Sequence, residues 1–429
     1  MRGLQPKRQV VVIAPTSAAV AELRKHGFPA TATVQRFLAS ERFQRTSARK
    51  VLIVDEAGLL STRDMVELLE IAKTRQCRVI LAGDTRQHAS VEAGDALRLL
   101  ENRSALRVAQ VTLVRRQVSL EYREAIADLA AGRGPEGLER LRRLGAVREM
   151  PHEERYPEMA REYGLSIRQG KTALIVSPTW REIGQVNGAV RQELKKLGHL
   201  DAGDAEVTSY RSLKWTRAQK RDLRLYSVGL GLHFHKPTAH TVAGETLVVS
   251  QIGDDFIEAS HADGRKLRLT GKQAGCFDVA EPIRLAISAG ERLLLLGTDK
   301  KHGLYNGQIV TAQRVDTEGV IHLVDGRTLP RSFRQFAHGY CVTSYASQGR
   351  TVDHVYVAVD SHNVNAANLN QLYVSCSRGR EQVRVYTDDV GFLSAAVTKR
   401  ADRLSATELI EGHPVKPAVR NVPRTKLAT

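Results

Sequence analysis

The chain has 429 residues, enough for two or three domains with ordinary buried cores. Hydrophobic residues make up 42% and charged residues 26%, as in globular proteins, and no run approaches the roughly 20 apolar residues of a membrane span. The net charge of +17 favours a polyanionic partner, because phosphate contacts dominate nucleic-acid affinity. The alternative is an arginine-rich surface that is merely solvated. Four widely spaced cysteines without zinc spacing fit a reducing cytoplasm.

The first part of the chain alternates short apolar runs with helical patterns. Helices are predicted at 17–26, closed by a glycine, and from residue 61 onward, where Ser61 and Asp64 have capping-box spacing. Because strands separated by helices form parallel sheets, ligands are expected at the carboxyl ends of these strands. Strands are predicted at 10–14, 51–54, 78–82 and 106–111.

The pattern of predicted secondary structure changes three times in the rest of the chain. Residues 119–170 read as charged helices, and a second alternating unit opens with a strand at 172–177 and a helix at 181–197. From about 200 to 338 the runs are short and β-like, as in a small barrel. Further strands are predicted at 340–343, 354–359 and 383–387, before a basic, aperiodic tail.

The strand 51–54 ends in Asp55 and Glu56. An aspartate in this position suits hydrated Mg²⁺, which prefers a few hard oxygen ligands. The adjacent glutamate is then placed to orient a water on a γ-phosphate. The alternative is an ordinary strand-to-helix cap.

A second polar strand end follows about 30 residues later, in LAGDTRQ at 81–87. Gly83 and Asp84 close the strand, and Gln87 offers an amide that can sense a γ-phosphate by hydrogen bonding. The alternative is a polar loop before a helix.

Two later segments complete the set of motifs. In YCVTSYASQGRTVDHVYV (340–357), hydroxyl groups and an aromatic ring can grip a phosphodiester backbone or stack on a base. In NLNQLYVSCSRGREQVRVYT (368–387), Arg378 follows a helix and can act as an arginine finger on phosphates bound by the first domain. For a lone arginine, the alternative is a surface ion pair.

Taken together, these motifs resemble those of superfamily 1 DNA helicases of the RecD-like branch, especially the helicase half of conjugative relaxase-helicases of the MobF type. The resemblance covers roughly residues 10–390. The matching segments, in motif order Ia to VI, are IAPTSAAVAEL, VDEAGLL, LAGDTRQ with SVEAGDALR, LVRRQ (113–117), TSYASQGRTVD and LYVSCSRGRE. GLYNGQIVTAQRVD resembles the small β barrel inserted in the second motor domain of that family.

The resemblance implies an α/β fold with two RecA-like parallel-sheet motor domains, ATP and Mg²⁺ as cofactors, and single-stranded DNA as partner. Implied catalytic residues are Asp55 (also the Mg²⁺ ligand), Glu56, Gln87, Arg116 and Arg378. Implied nucleotide contacts are Gly83, Asp84, Gln348 and Gly349, although Thr351 replaces the glutamate that many relatives carry there. The implied DNA track is Pro15, Thr16, Thr343, Ser344 and Tyr345.

It also implies a domain plan. The predicted parts are a partial RecA-like domain at 1–118, a helical connector at 119–170, a second RecA-like domain at 171–199 and 339–395, a β-rich insertion with an SH3-like barrel at 200–338, and a basic tail at 396–429.

One part of a nucleotide site is missing from the sequence. The 429 residues contain no G-x-x-x-x-G-K-[ST] phosphate loop. The segment GLSIRQGKT (164–172) has one residue too many between its glycines, and it leads into a predicted strand instead of a helix. We therefore expect little ATP hydrolysis by this chain alone. A missing N-terminal segment or a separate relaxase polypeptide is a candidate partner.

Three functional hypotheses remain open from the sequence: most of an ATP-dependent DNA helicase that is cut short or separately encoded, a DNA-binding module without ATPase activity, and, third, a metal nuclease built on Asp55 and Glu56. A nuclease would need more carboxylates near that pair, and the sequence shows none at suggestive spacing.

Overall fold

A computed structural model describes residues 10–88, 90, 94–111, 115–299, 301–362 and 367–399. The chain forms two compact units. The first unit comprises Met1–Ala146, Val364–Glu381 and Val390–Thr429, and the second comprises Val147–Asn363 and Gln382–Asp389. This division cuts across the predicted domain plan, because residues 119–146 and 364–381 belong to the first unit. The predicted basic tail lies almost entirely outside the described residues.

The helices alternate with strands in both units. In chain order the helices are α1 Ser17–Lys25, α2 Val34–Ala39, α3 Glu41–Thr46, α4 Thr62–Thr74, α5 Ala96–Arg103, α6 Leu120–Ala130, α7 Gly134–Arg143, α8 His152–Arg168, α9 Trp180–Lys196, α10 Arg217–Arg221, α11 Ser344–Ser347, α12 Leu369–Cys376 and α13 Val390–Ala396. Across the described ranges, no helix combines the length and the apolar character needed to cross a membrane.

The strands form four sheets. In chain order they are β1 Val10–Ala14, β2 Thr31–Thr33, β3 Val51–Val54, β4 Arg78–Leu81, β5 Val147–Glu149, β6 Ala173–Val176, β7 Ala205–Ser212, β8 Gly231–Phe234, β9 Thr246–Ile252, β10 Ile257–Ser260, β11 Lys266–Leu269, β12 Phe277–Ile287, β13 Arg292–Leu295, β14 Ile309–Val315, β15 Ile321–Leu323, β16 Thr328–Leu329, β17 Phe336–His338, β18 Cys341–Val342, β19 Val352–Val359 and β20 Gly379–Thr387.

The first unit is built on a parallel sheet of strand order β2-β1-β3-β4. Its central strand β3 is buried along its whole length, as expected for a strand covered on both faces. Val51 and Ile53 face a cluster with helix α1, whereas Leu52 and Val54 face a cluster with helices α2 and α4. This alternation follows from the two-residue period of a strand and fixes the direction in which β3 ends.

Of the four strands predicted in this region, those at 10–14, 51–54 and 78–82 are confirmed, the last one residue shorter. The strand predicted at 106–111 is wrong. These residues form no regular element, and the side chains of Leu106 and Val111 are 57% and 94% exposed. A strand needs a neighbour to take up its N–H and C=O groups, and within the described ranges nothing pairs with this segment. The alternating sequence pattern reports propensity and cannot supply that neighbour.

The predicted start of helix α4 is confirmed in part. Ser61 is the N-cap, and its hydroxyl accepts a hydrogen bond from the Asp64 N–H at 3.1 Å. The reciprocal half of a capping box does not form, because the Asp64 carboxylate instead accepts from the Gln35 amide at 3.0 Å.

The second unit contains a parallel sheet of order β18-β6-β19-β20-β5. Helices α8 and α9 cover it with buried side chains that include Met159, Tyr163, Ile183 and Val190. The predicted strand and helix at 172–177 and 181–197 correspond to β6 and α9. Strand β5 lies inside the segment predicted as purely helical; it pairs in parallel with β20.

The β-rich texture predicted for residues 200–338 is confirmed. Strands β7 to β12 form an antiparallel sheet of order β11-β10-β9-β8-β12-β7, and β13 to β17 form a second one of order β16-β15-β14-β13-β17. Each has its own apolar cluster, the first around Phe234 and Phe277 and the second around Leu293, Ile321 and Phe336.

A fully buried guanidinium joins the helices of the second unit to its parallel sheet. Arg155 of α8 donates to the Asp388 carboxylate at 3.0 Å, and its ion pairs with Glu182 and Asp360 measure 3.4 and 3.5 Å. Asp360 and Asp388 directly follow β19 and β20. Three carboxylates at the carboxyl ends of the sheet and in α9 therefore depend on one cation.

We expect Arg155→Met to lower the free energy of unfolding by about 3–5 kcal/mol, because it leaves buried carboxylates without a counter-charge. Urea unfolding followed by circular dichroism measures this loss. The matched control is Arg161→Met, which removes a largely exposed pair with Glu158 at 2.6 Å and should cost less than about 1 kcal/mol. Equal losses in the two variants would contradict the importance assigned to Arg155.

Candidate functional site

In the first unit, polar residues gather where three parallel strands end. Pro15 and Thr16 follow β1, Asp55 follows β3, and Gly83 follows β4. The strand ends are joined by backbone hydrogen bonds of 2.8 Å, from the Asp55 N–H to the carbonyl of β1 and from the loop after β3 to the loop after β4. This is the edge at which parallel α/β sheets bind ligands.

Gly83 is required by the close approach of these two loops. A Cβ atom at this position would lie 3.0 Å from the Gly58 nitrogen, 3.1 Å from the Ala57 nitrogen and 2.8 Å from the Leu97 side chain. Any larger residue would push apart the loops that follow β3 and β4.

The two carboxylates after β3 are held in a partly dry environment. Burial raises the pKa of Asp55 above its usual value. Burial and the Asp55 charge also raise the pKa of Glu56, while Arg378 and Arg116 act in the opposite direction. Glu56 has a left-handed backbone with φ of 51°, an uncommon conformation for a non-glycine residue. Because the ionised forms of these two neighbouring carboxyl groups are disfavoured, a bound cation would stabilise them.

Arg378 supplies positive charge to this site from an interior position. Its side chain is 1% exposed, with the Nε donating to the Val374 carbonyl at 2.8 Å and an Nη donating to the Ser377 hydroxyl at 2.7 Å. Burial, together with repulsion from Arg116, lowers the pKa of Arg378 to about 10, and attraction to Glu56 opposes this shift. Arg378 remains a cation at neutral pH.

The segment that contains Arg116 secures the end of helix α12 just before Arg378. Arg116 donates to the Ser377 carbonyl at 2.8 Å, Gln117 donates to the Gly379 carbonyl at 3.0 Å, and the Tyr122 hydroxyl donates to the Cys376 carbonyl at 2.5 Å. The bonds to Cys376 and Ser377 satisfy carbonyl groups at the end of α12 that have no partner within the helix, whereas the Gly379 carbonyl belongs to the start of β20. Arg116 therefore has a positioning contact with the backbone next to Arg378.

The loop after β4 is also tied to helix α12. Asp84 accepts hydrogen bonds from the Gln87 amide at 3.3 Å and from the Tyr373 hydroxyl at 2.7 Å, and the Asn370 amide donates to the Arg86 carbonyl at 3.0 Å. The carboxylate of Asp84 raises the pKa of Tyr373 further beyond the effect of burial. The predicted γ-phosphate sensor Gln87 is thus placed by the same carboxylate that holds α12.

His88 follows this loop as a neutral side chain. Burial and the nearby charge of Arg378 lower the pKa of His88 to about 4, so its ring adds no charge to the site at neutral pH.

The first unit therefore brings together seven of the residues singled out from the sequence, namely Asp55, Glu56, Gly83, Asp84, Gln87, Arg116 and Arg378. Sequence reasoning missed Tyr373 and Asn370. They lie three positions apart, and therefore on one face, in a largely buried helix that also contains the polar residues Gln371 and Ser375; this spacing was a usable signal.

The residues predicted to form the DNA track lie at helix starts in both units. Thr16 is the N-cap of α1, its hydroxyl accepting a backbone N–H at 3.1 Å. In the second unit Thr343 caps α11 in the same way at 3.2 Å. Ser344 is buried, and Tyr345 is 42% exposed.

Gln348 and Gly349 follow α11 in the second unit, and Gly349 has a φ of 73°. That conformation favours glycine and explains the residue type without invoking a ligand.

The segment 164–172 does not form a phosphate loop. Its first residues belong to the end of α8, and the Gly170 and Lys171 N–H groups donate to the Ile167 and Ser166 carbonyls at 3.0 Å. The chain then enters β6. A helix C-terminus presents carbonyl groups, which repel phosphate.

A second group of possible metal ligands occurs in the second unit. Single ligand atoms of Asp360, His362 and Asp388 lie within 4.8 Å of one another. Arg155 pairs with both aspartates, and the Ser361 hydroxyl donates to Asp388 at 2.5 Å. Existing cationic and hydroxyl partners account for this cluster.

Comparison with known proteins relates the chain to conjugation proteins. Residues 3–152 match the family described as AAA domain. The chain is 23% identical to the Multifunctional conjugation protein TraI of Escherichia coli over 95% of its own length and 26% of TraI. It is 22% identical to the Conjugal transfer protein TraA of Rhizobium radiobacter over 84% of the chain and 26% of TraA. The chain thus spans about a quarter of the length of these relatives.

Solved helicase structures resemble the chain more distantly. A Pif1 helicase from Bacteroides in complex with ADP-AlF3 and ssDNA is 14% identical, with a TM-score of 0.42, covering 96% of this chain and 87% of that one. Pif1 helicase from Candida albicans is 15% identical, with a TM-score of 0.40, covering 96% and 89%.

The contact between Tyr373 and Asp84 yields a test of how the loop 82–88 is positioned. In Tyr373→Phe we expect amide hydrogen exchange in residues 82–88 to become faster, because a hydrogen bond to a charged acceptor, worth about 1.5–3 kcal/mol, is lost. Mass spectrometry of peptic fragments measures the exchange. The contrasting variant Tyr122→Phe should instead affect residues near 376–379. Unchanged exchange at 82–88 in Tyr373→Phe would show that another contact holds this loop.

Proposed function

We propose that the chain is a helicase-type motor segment that uses ATP and Mg²⁺ to act on single-stranded DNA, as part of a conjugative relaxase-helicase of the RecD-like kind. One observation carries the proposal. The carboxylates of Asp55 and Glu56 lie at the carboxyl ends of a parallel sheet, and Glu56 is within electrostatic reach of Arg116 and the buried Arg378. Two carboxylates and two arginines are thus combined at the edge where parallel sheets bind ligands.

The residues present fit the phosphate end of a Mg²⁺–nucleotide. Asp55 would hold the metal, because Mg²⁺ prefers hard oxygen ligands such as a carboxylate. The positive charge of the metal would favour the ionised form of Asp55, which burial disfavours. Glu56 would orient and deprotonate a water. When bound, ATP supplies the phosphoanhydride bond whose cleavage releases the energy for movement.

The two arginines would neutralise negative charge on the phosphates. Gln87 would hydrogen-bond a terminal phosphate oxygen, and its tie to Asp84 would link that contact to helix α12. Gly83 permits the close loop approach, and Gln348 and Gly349 are assigned to the nucleotide from the motif resemblance alone.

DNA as the partner is supported by the net charge of +17 and by the similarity to conjugation proteins. We assign Pro15, Thr16, Thr343, Ser344 and Tyr345 to the DNA track. The same proposal includes four further points. The two parallel sheets are RecA-like, the β13–β17 sheet is SH3-like, a relaxase is a partner, and the location is cytoplasmic.

A DNA-binding module without ATPase activity is the second candidate. It is favoured by the position of GKT at a helix C-terminus, where the segment cannot hold phosphate. A phosphate loop offers several charge-assisted contacts of about 1.5–3 kcal/mol each, whereas micromolar ATP binding amounts to only about 8 kcal/mol.

The DNA-binding part of the proposal predicts salt-dependent affinity for single-stranded oligonucleotides. Fluorescence anisotropy should give a log–log slope of affinity against salt of about −3 or steeper, since each phosphate contact contributes roughly −0.7. A peptide nucleic acid of the same sequence, which lacks phosphates, is the control and should not bind. Absence of DNA binding even at low salt would overturn the DNA assignment.

The catalytic part predicts that the purified chain hydrolyses ATP slowly, with little acceleration by single-stranded DNA, as measured by phosphate release. The reason is that the segment 164–172 ends a helix and does not form a phosphate loop. Robust DNA-stimulated turnover that Glu56→Gln abolishes would contradict this prediction and would favour the motor over the inactive module.

The DNA upstream of the Met1 codon distinguishes the two candidates when turnover is low. An in-frame segment encoding G-x-x-x-x-G-K-[ST] supports the motor, and co-expression with that segment should then restore hydrolysis that depends on Glu56. Its absence favours the inactive module.

A further inference from the structure

An open cleft with cationic walls lies among the segments that connect the strands of the antiparallel sheet β7–β12 in the second unit. It has a volume of about 520 Å³ and is lined by Arg221, Asp255, Thr270, Gly271 and Lys272. Arg221 ends helix α10, and the other side is formed by the loop before β10 and the short helical turn that follows β11. No motif recognised in the sequence includes these residues.

The cations of this cleft are exposed and have no acidic partner. Within the described residues, no carboxylate lies within 4.0 Å of the charged groups of Arg221, Lys272 or Arg217. Nearby basic residues differ in this respect. Lys220 pairs with Asp278 at 2.5 Å, and Arg224 pairs with Asp222 at 2.7 Å. The basic residues at the cleft are thus available to an external anion, whereas Lys220 and Arg224 already have a carboxylate partner.

Two of the unpaired arginines lie on one side of helix α10, facing the turn after β11. Gly271 is packed against the Arg221 side chain, with its virtual Cβ 3.6 Å from Cγ, and Gly275 lies near the Arg217 guanidinium, 3.8 Å from Nε. Positions four apart on a helix are about 5–6 Å apart. Arg217 and Arg221 therefore present a short row of positive charge along the cleft.

An aromatic residue, Phe256, directly follows the cleft residue Asp255 in the chain, and Arg268 of β11 precedes the cleft residue Thr270 by two positions. The guanidinium of Arg268 lies 4.4 Å from the ring centroid of the adjacent Phe256. An arginine stacked on an aromatic ring next to unpaired cations is the combination by which proteins hold single-stranded nucleic acid, with phosphates on the cations and bases on the flat groups.

We propose that this cationic cleft, lined by Arg221 and Lys272 and flanked in the chain by Arg217 and the Arg268–Phe256 pair, binds the phosphodiester backbone of single-stranded nucleic acid. The inference rests on the proposed DNA-binding function and adds a contact surface outside every motif used to assign that function. The positive charges of the cleft favour a polyanion, and the open shape of the cleft favours a flexible one. Asp255 disfavours a second phosphate at its position and can accept a hydrogen bond from an exocyclic amino group of a base.

The test compares two double variants by anisotropy with a labelled single-stranded oligonucleotide between 50 and 300 mM salt. Arg221→Ala/Lys272→Ala should reduce the magnitude of the salt slope by about 1.4, since two contacts contribute roughly 0.7 each. At 0.1 M salt this corresponds to about 25-fold weaker binding if the whole effect is counterion release. The loss should be similar for oligonucleotides of different sequence, because phosphates carry no base identity.

The matched control is Arg224→Ala/Arg265→Ala. It removes the same net charge from the same sheet, but its two arginines are already paired, with Asp222 at 2.7 Å and Asp263 at 2.7 Å. This variant should keep the wild-type slope. Thermal melting by circular dichroism verifies that both double variants are folded.

The outcomes separate this inference from the proposed function. If the wild-type chain does not bind DNA, the proposed function fails. If it binds and the two double variants lose affinity equally or not at all, the cleft inference fails while DNA binding stands. Binding to phosphatidylserine vesicles that is lost only in Arg221→Ala/Lys272→Ala, with DNA binding unchanged, would assign the cleft to an anionic membrane surface and overturn the inference.

Discussion

A guanidinium that is removed from water needs a nearby negative charge, and this requirement organises the candidate site of the first unit. Arg378 is almost completely buried, and its attraction to Glu56 opposes the desolvation that lowers its pKa. The same attraction lowers the pKa of a carboxyl group that burial and Asp55 would otherwise make harder to ionise. Each group makes the charged form of the other less costly.

Several side chains hold the helix end that precedes Arg378. Arg116, Gln117 and Tyr122 all donate to carbonyl groups at the C-terminus of α12, and Tyr373 and Asn370 fasten the same helix to the loop that carries Gln87. A ligand that altered the charge near Glu56 would therefore act on a connected set of hydrogen bonds.

The second unit also contains a buried arginine next to carboxylates, but there the arrangement stabilises the fold. Arg155 is buried among Glu182, Asp360 and Asp388 at the carboxyl ends of β19 and β20. Its carboxylates are already paired, so the polar strand ends of this sheet are stabilised as structure. The two aspartates at the strand ends of the second unit, Asp360 and Asp388, have lowered pKa values, whereas the pKa values of Asp55 and Glu56 in the first unit are raised. That difference marks the first unit as the place for a charged ligand.

Most strands of the two parallel sheets, and the edge of the first sheet at which polar residues gather, could be predicted from the amino-acid sequence alone. Buried strands such as β1 and β3 were predictable because a continuous apolar run bounded by polar residues has few alternatives. Their ends placed Asp55, Glu56 and Asp84 at one edge through the rule for parallel sheets. The helix-to-strand order around GKT was also readable, because Gly170 follows a helical pattern and precedes an apolar run.

Only the tertiary structure decided which distant segments meet these strand ends. The hydrogen bond from Tyr373 to Asp84 joins residues 289 positions apart, and that from Arg116 to Ser377 joins residues 261 apart. Local pattern carries no information about such pairings, since they depend on packing of whole helices. For the same reason the segment 106–111 has the alternation of a strand yet forms none, because a strand exists only where another strand takes up its hydrogen bonds.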